Sequence, residues 1–173
     1  MKAGGGHAKG SSFERKIAGL LDIWWKVLPK TFWRSEGSGA QQQPGDIVPR
    51  IKPGQSQPRF PFVIECKHYK TANPLSFFLV SKKRRGILIK WWEQSVREQK
   101  DARKLGYSLV LKLVIFRINN LPILVMFDPL ELHVFNLPIM LGFRSSKFNL
   151  IISTWDCFSQ NFPKEFFETR FKE

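Results

Sequence analysis

Between Phe13 and Leu28 the apolar residues Phe13, Ile17, Leu20, Leu21, Trp24, Trp25 and Leu28 return at steps of three and four. That is the period of one helix face, so the pattern predicts a helix from about Ser12 to Leu28, stopped by Pro29. Thr31 to Arg34 is a short strand candidate, and Ser35 to Gly45, rich in Gly, Ser, Gln and Pro, is a loop. Asp46, Ile47 and Val48 begin a second strand. Pro49 to Pro58 forms a turn region, and Phe60 to Lys67 a third strand whose apolar run suits the inside of a sheet. After an irregular stretch at 68–85, helical spacing resumes from Ile87 to Leu105 and ends at Gly106. Tyr107 to Ile118 and Leu121 to Phe127 are β-rich runs joined by Asn119 and Asn120, a hairpin pattern. In the tail, Asn149 to Thr154 predicts a strand and Pro163 to Phe171 a short helix.

The order α-β-β-β-α-β-β predicts an α/β fold, a central mixed β-sheet flanked by helices with a C-terminal extension. The expected organisation is a flexible basic arm at 1–10, a core domain at 11–127, and an extension at 128–173 packed on the same domain. No internal repeat is visible.

Composition sharpens this picture. The chain has 173 residues, enough for one domain with a substantial core, and 43% are hydrophobic, which excludes a disordered chain. Its 28 Lys and Arg against 14 Asp and Glu leave a formal net charge of +14. A polyanion is the expected partner, nucleic acid before acidic protein or anionic lipid. No apolar run reaches the roughly 18 residues of a membrane span, and Met1 to Ser12 lacks the apolar segment of a signal peptide. Cys66 falls on a core-facing strand position and pairs with nothing obvious, so both cysteines are expected free, in a reducing cytoplasmic compartment. His7, His68 and His133 show no zinc-ligand spacing.

The candidate chemistry gathers at the end of the third strand. Side chains alternate faces along a strand, so Glu65 and Lys67 point one way, and Cys66 points the other way with Ile64 and Phe62. With Asp46 on the neighbouring strand, two acids and a base share a place suited to a divalent cation and an activated water. Each residue also has an ordinary reading. Asp46 alone would be a turn aspartate, and Glu-x-Lys alone a solvated strand face. Glu14 sits about 100° round the first helix from Phe13, inside the apolar sector. It is either a site carboxylate or the acid of a capping box with Ser11. On the expected chemistry Glu14, Asp46, Glu65 and the Cys66 carbonyl ligate Mg²⁺, with Mn²⁺ as a substitute. Lys67 holds and helps deprotonate the attacking water, or stabilises the phosphorane.

Gly10, Phe13, Glu14 and Arg15 in a leading helix, then Gly45-Asp46, then Ile64-Glu65-Cys66-Lys67, resemble the PD-(D/E)XK nuclease superfamily. Within it the chain is similar to the archaeal Holliday junction resolvases and their phage relatives. Ser38-Gly39 ahead of the acid, Trp91-Trp92-Glu93-Gln94-Ser95 and Val114-Ile115-Phe116-Arg117 add to the likeness, which covers about residues 10–127. One departure is Gly45, where the family usually has Pro. The resemblance implies a restriction-endonuclease-like core, metal ligation by Glu14, Asp46 and Glu65, a catalytic Lys67 and a supporting Ser38. It also implies a phage-encoded, homodimeric, metal-dependent endonuclease on four-way DNA junctions. A restriction-like or recombination nuclease acting on linear DNA or DNA ends is the alternative, and a non-catalytic basic DNA-binding protein is the alternative of another class.

Lys2, Lys9, Arg15, Lys70, Lys82, Lys83, Arg84 and Arg85 are the expected phosphate contacts. Phe77 to Val80 between them fits core, dimer contact or a junction wedge. On the second helix, Gln99 falls on the core side by helical geometry, while the resemblance favours Gln94 as a helper of the site; the sequence leaves both open.

Overall fold

The computed structural model describes residues 5–35, 44–50, 59–69, 86–106, 111–132, 141–144 and 148–170. It shows a mixed sheet flanked by helices, the expected class. Helix α1 spans Gly5–Trp24; strands β1, β2 and β3 span Phe32–Arg34, Ile47–Pro49 and Phe62–Tyr69; helix α2 spans Ile87–Lys104. Then follow β4 Leu111–Ile118, β5 Leu124–Phe127, β6 Leu141–Arg144, β7 Asn149–Thr154, and the short helices α3 Trp155–Asn161 and α4 Lys164–Arg170.

Among the described residues the sheet has seven strands in the order β1-β2-β3-β4-β5-β7-β6. β3 and β4 run parallel over eight pairs, from Phe62 beside Leu111 to Tyr69 beside Ile118. The other neighbours are antiparallel. A parallel pair needs a long crossover, and among the described residues α2 lies within it.

Alternation along β3 and β4 divides the core in two. On one face Phe62, Ile64, Cys66, Leu113 and Ile115 meet Phe13, Ile17, Leu21 and Trp24 of α1, with Phe158 of α3, Phe162 just after it and Phe167 of α4. Trp24 anchors this layer: its indole N–H donates to the Phe162 carbonyl at 2.7 Å, and its ring lies 5.5 Å from Phe158 and 5.7 Å from Phe167. On the other face Val114, Phe116 and Met126 pack against Leu88, Trp91 and Trp92 of α2.

Three differences from the sequence reading have identifiable causes. α1 begins at Gly5, so residues 5–10 continue the helix rather than forming an arm. It ends at Trp24, and Leu28 is exposed. Here the buried Asp22 carboxylate accepts the Lys30 and Phe32 backbone N–H groups, each at 2.8 Å, and Lys26 and Lys30 take positive φ. The carboxylate thus ties down a turn that apolar spacing does not reveal. In the tail, β7 lies on its expected residues, while β6 and α3 are additional. Thr154 caps α3 by accepting the Cys157 N–H at 3.2 Å.

Candidate active site

β2 and β3 pair at Ile47 beside Ile64, and Gly45 and Asp46 lead the chain into that pairing. Gly45 has φ +90°, and a Cβ there would stand 3.0 Å from the Ile64 carbonyl oxygen and 3.1 Å from its nitrogen. A left-handed backbone this close to β3 needs glycine. Proline, fixed near φ −65°, does not fit, so the departure from the family pattern is a different local turn. Asp46 N–H then donates to the Ile64 carbonyl at 2.7 Å. Two residues along β3, the Cys66 N–H donates to Asp46 Oδ2, also at 2.7 Å. The Asp46 side chain therefore occupies the place of a backbone partner beside β3, and strand geometry turns the Cys66 carbonyl toward the same edge. Gly45→Ala is expected to cost about 1–3 kcal/mol and to lower nuclease turnover by displacing Asp46. Thermal melting and a cleavage assay on the same preparation measure both effects.

Glu65 is 0% exposed. The Lys67 ammonium pairs with its Oε1, while Oε2 is buried with no hydrogen-bond donor. Burial first, then the charges of Asp46 and Glu98, push the Glu65 carboxyl up to about 9 against the attraction of Lys67. Asp46 is also raised, mainly by burial, although the Cys66 N–H and Lys67 favour its charged form. For Lys67 burial works downward, but the hydrogen bond to Glu65 and the charges of Glu65, Asp46 and Glu98 outweigh it, and the net shift is upward. Burial, then Asp46, Glu14 and Glu65, hold the Cys66 thiol well above its usual range. Cys66 is thus a protonated core residue, not a nucleophile.

The structure therefore brings Asp46, Glu65 and Lys67 together and adds Glu98 of α2. No motif spacing marks Glu98 in the sequence. It stands two turns after the buried Trp91, on the edge of the face that α2 turns to β3. Gln94 donates to Glu98 Oε1 at 3.2 Å. Gln99 is engaged elsewhere: its Oε1 accepts from Lys112 at 3.3 Å, in a buried network that includes Glu131.

Glu14 is placed differently. Ser11 lies inside α1, so the capping-box geometry is absent, and Ser11 instead accepts twice from Arg15, at 3.1 Å each. The Glu14 carboxylate pairs with Arg34 of β1, and its charge reaches Cys66 on the α1 face of β3. Glu65 and Lys67 occupy the opposite face. His68 lies against Phe13, ring centroids 5.5 Å apart. Among the described residues no three His, Cys, Asp or Glu side chains are gathered to hold one ion. Lys2, Ser38, Phe77 to Val80, Lys70, Lys82, Lys83, Arg84 and Arg85 lie outside the described residues, and Lys9 falls in the first turns of α1.

The donor set nonetheless fits a hard divalent cation. Mg²⁺ is usually held by one or two carboxylates, with water and substrate phosphate completing its shell. Asp46 and Glu65 are two such groups, and Glu65 Oε2 is a buried oxygen with no donor.

Two acids and a lysine at adjoining strand ends of a mixed sheet define the nuclease class in which the spacing Asp-x(n)-Glu-x-Lys carries the chemistry. The chain belongs to the family described as "Phage putative PDDEXK endonuclease", whose model matches residues 5–169. PD-(D/E)XK nucleases generally use divalent metals. Among solved structures, Archaeoglobus fulgidus Hjc, a Holliday junction resolvase from an archaeal hyperthermophile, is similar at 20% identity. That likeness covers 87% of this chain and 93% of that chain, with a TM-score of 0.33. No curated protein matches the chain. Among the described residues no helix is long and apolar enough to cross a membrane.

Proposed function

We propose that this chain is a Mg²⁺-dependent DNA endonuclease acting on branched DNA, four-way junctions first among them, as a homodimer. The observation that carries the nuclease reading is the joining of Asp46, Glu65 and Lys67 at one edge of β3, with Asp46 fixed by the Cys66 N–H. Asp46 and Glu65 would hold the cation, which when bound would offset charge on the phosphate oxygens and make water a better nucleophile. Lys67 holds that water or the developing phosphorane charge. The Cys66 carbonyl and Glu14, the latter once released from Arg34, are the further proposed ligands; Ser38 supports them, and Mn²⁺ substitutes for Mg²⁺.

The net charge of +14 supports DNA as the partner. Lys2, Lys9, Arg15, Lys70, Lys82, Lys83, Arg84 and Arg85 are proposed to contact phosphates. The junction preference rests on the motif likeness at residues 10–127, and a four-way junction needs two symmetric cuts, which a two-fold dimer supplies. The test is cleavage of four-way, flap and linear duplex DNA of matched sequence in Mg²⁺. Paired symmetric nicks in the junction, with linear duplex cut at least about tenfold more slowly, support the reading. Equal cutting of all three substrates leaves a general nuclease.

A further inference from the structure

Glu98 has a place that the Asp46–Glu65–Lys67 site does not account for. α2 covers the face of β3 that carries Glu65 and Lys67. Trp91 lies 6.3 Å from the Tyr69 ring, and Ala102 packs with Val63. The helix therefore runs antiparallel to β3, and its middle, with Glu98, passes over Glu65 and Lys67. Glu98 Oε1 accepts from Gln94 at 3.2 Å, whereas Oε2 is buried with no donor. Glu65, fully buried, likewise has an oxygen without a donor in the same cluster. The Glu98 charge is felt by Asp46, Glu65 and Lys67 alike.

A cation at the proposed site changes what Lys67 can pair with. Its ammonium is held by Glu65 in the absence of metal. Once Glu65 carries a divalent cation, an ammonium beside it is repelled. Asp46 serves the same cation and the Cys66 N–H. Of the carboxylates whose charge acts on Lys67, Glu98 remains. Direct ligation by Glu98 does not fit, because Asp46, Glu65 and Glu98 are not gathered around one point.

We infer that Glu98, oriented by Gln94, is a positioning residue that receives the Lys67 ammonium from Glu65 when a divalent cation occupies the Asp46–Glu65 couple. The inference rests on the metal-dependent nuclease reading above. Lys67 then stays beside the reacting phosphate instead of being driven from the site by the cation.

Two measurements on the full chain test it. The first is a crystal structure with Ca²⁺ bound. The expected result is Lys67 Nζ within hydrogen-bond distance of Glu98 and separated from Glu65. The second is Glu98→Gln, which keeps an acceptor for Gln94 but removes the charge. It should lower kcat at least about tenfold, with KM for DNA, Ca²⁺ affinity and melting temperature unchanged; a purely structural role would not separate kcat from KM in this way. Lys67 still on Glu65 in the Ca²⁺-bound protein overturns the inference, as does parental kcat in Glu98→Gln. A parental chain that neither binds Ca²⁺ nor cuts DNA overturns the nuclease reading itself, a failure distinguishable from either of these.

Discussion

Raising the pH from 5 to 9 will lower the melting temperature of the metal-free protein, and a divalent cation will restore it. The sign follows from Glu65, whose carboxyl is pushed up to about 9 from 4.5. Between those values the folded chain holds a proton that the unfolded chain releases, so the stabilisation is complete below about 4.5 and is lost as pH rises through about 9. Asp46, also raised, contributes in the same direction. Lys67 is raised above 10.5 and stays charged in both states across this window. The expected fall is at least about 5 °C, and Glu65→Gln should flatten it. A cation competes with the proton for the same carboxylates, so its affinity and its stabilising effect should grow with pH. Melting curves at several pH values, with and without Ca²⁺, measure this. A melting temperature that holds constant or rises from pH 5 to 9 would refute the assignment of Glu65 as a buried, proton-holding acid.

Lys67→Met should cut DNA about 10²–10⁴-fold more slowly at saturating Mg²⁺ while binding DNA as the parent does. The substitution keeps the stem length and removes the ammonium. In the metal-free protein it also removes the ammonium that favours the charged form of a fully buried Glu65, so Glu65 should become still harder to ionise. Single-turnover cleavage at saturating Mg²⁺ separates the catalytic loss from any weakening of metal affinity. Cleavage near the parental rate would demote Lys67 to a structural counter-ion.

Much of this architecture is legible because β-strand alternation and helix period are strong signals where burial is one-sided. The apolar run ending in Glu65-Cys66-Lys67 places two charges on one face and a thiol on the other, and the structure puts them there. The order of elements through β5 follows from the same patterns, as does the strand at Asn149 to Thr154. The end of α1 is a different case. Leu28 continues the three-four spacing, yet the helix stops at Trp24 because the Asp22 carboxylate takes backbone N–H groups eight and ten residues on. A tertiary hydrogen bond of that kind leaves no periodic trace. The Gly-rich start reads as an arm in sequence; glycine is a poor helix former, and from Gly5 on that weak local preference is overridden. β6 is a four-residue strand at the sheet edge, too short for alternation to register.

The site was partly legible. Asp46, Glu65 and Lys67 stand out as a spacing motif, and the packing that makes Glu65 an acid of about 9 is a property of the assembled fold. Gln94 and Gln99 pose an ambiguity that only their partners resolve: Glu98 for one, Lys112 and Glu131 for the other. Glu14 shows the limit of a helical wheel. Its angle places it on the sheet side, but not on which face of β3 its carboxylate arrives or that Arg34 meets it.

The most direct test is phosphodiester cleavage in Mg²⁺ by the parental chain and by Asp46→Asn, assayed side by side on the same labelled four-way junction at equal DNA occupancy. The parental chain is expected to cut, EDTA to stop it, and Asp46→Asn to retain DNA binding while turning over at least about a thousandfold more slowly. Asp46→Asn cutting at the parental rate, or parental cutting that persists in EDTA, would contradict a metal-dependent nuclease site built on Asp46 and Glu65.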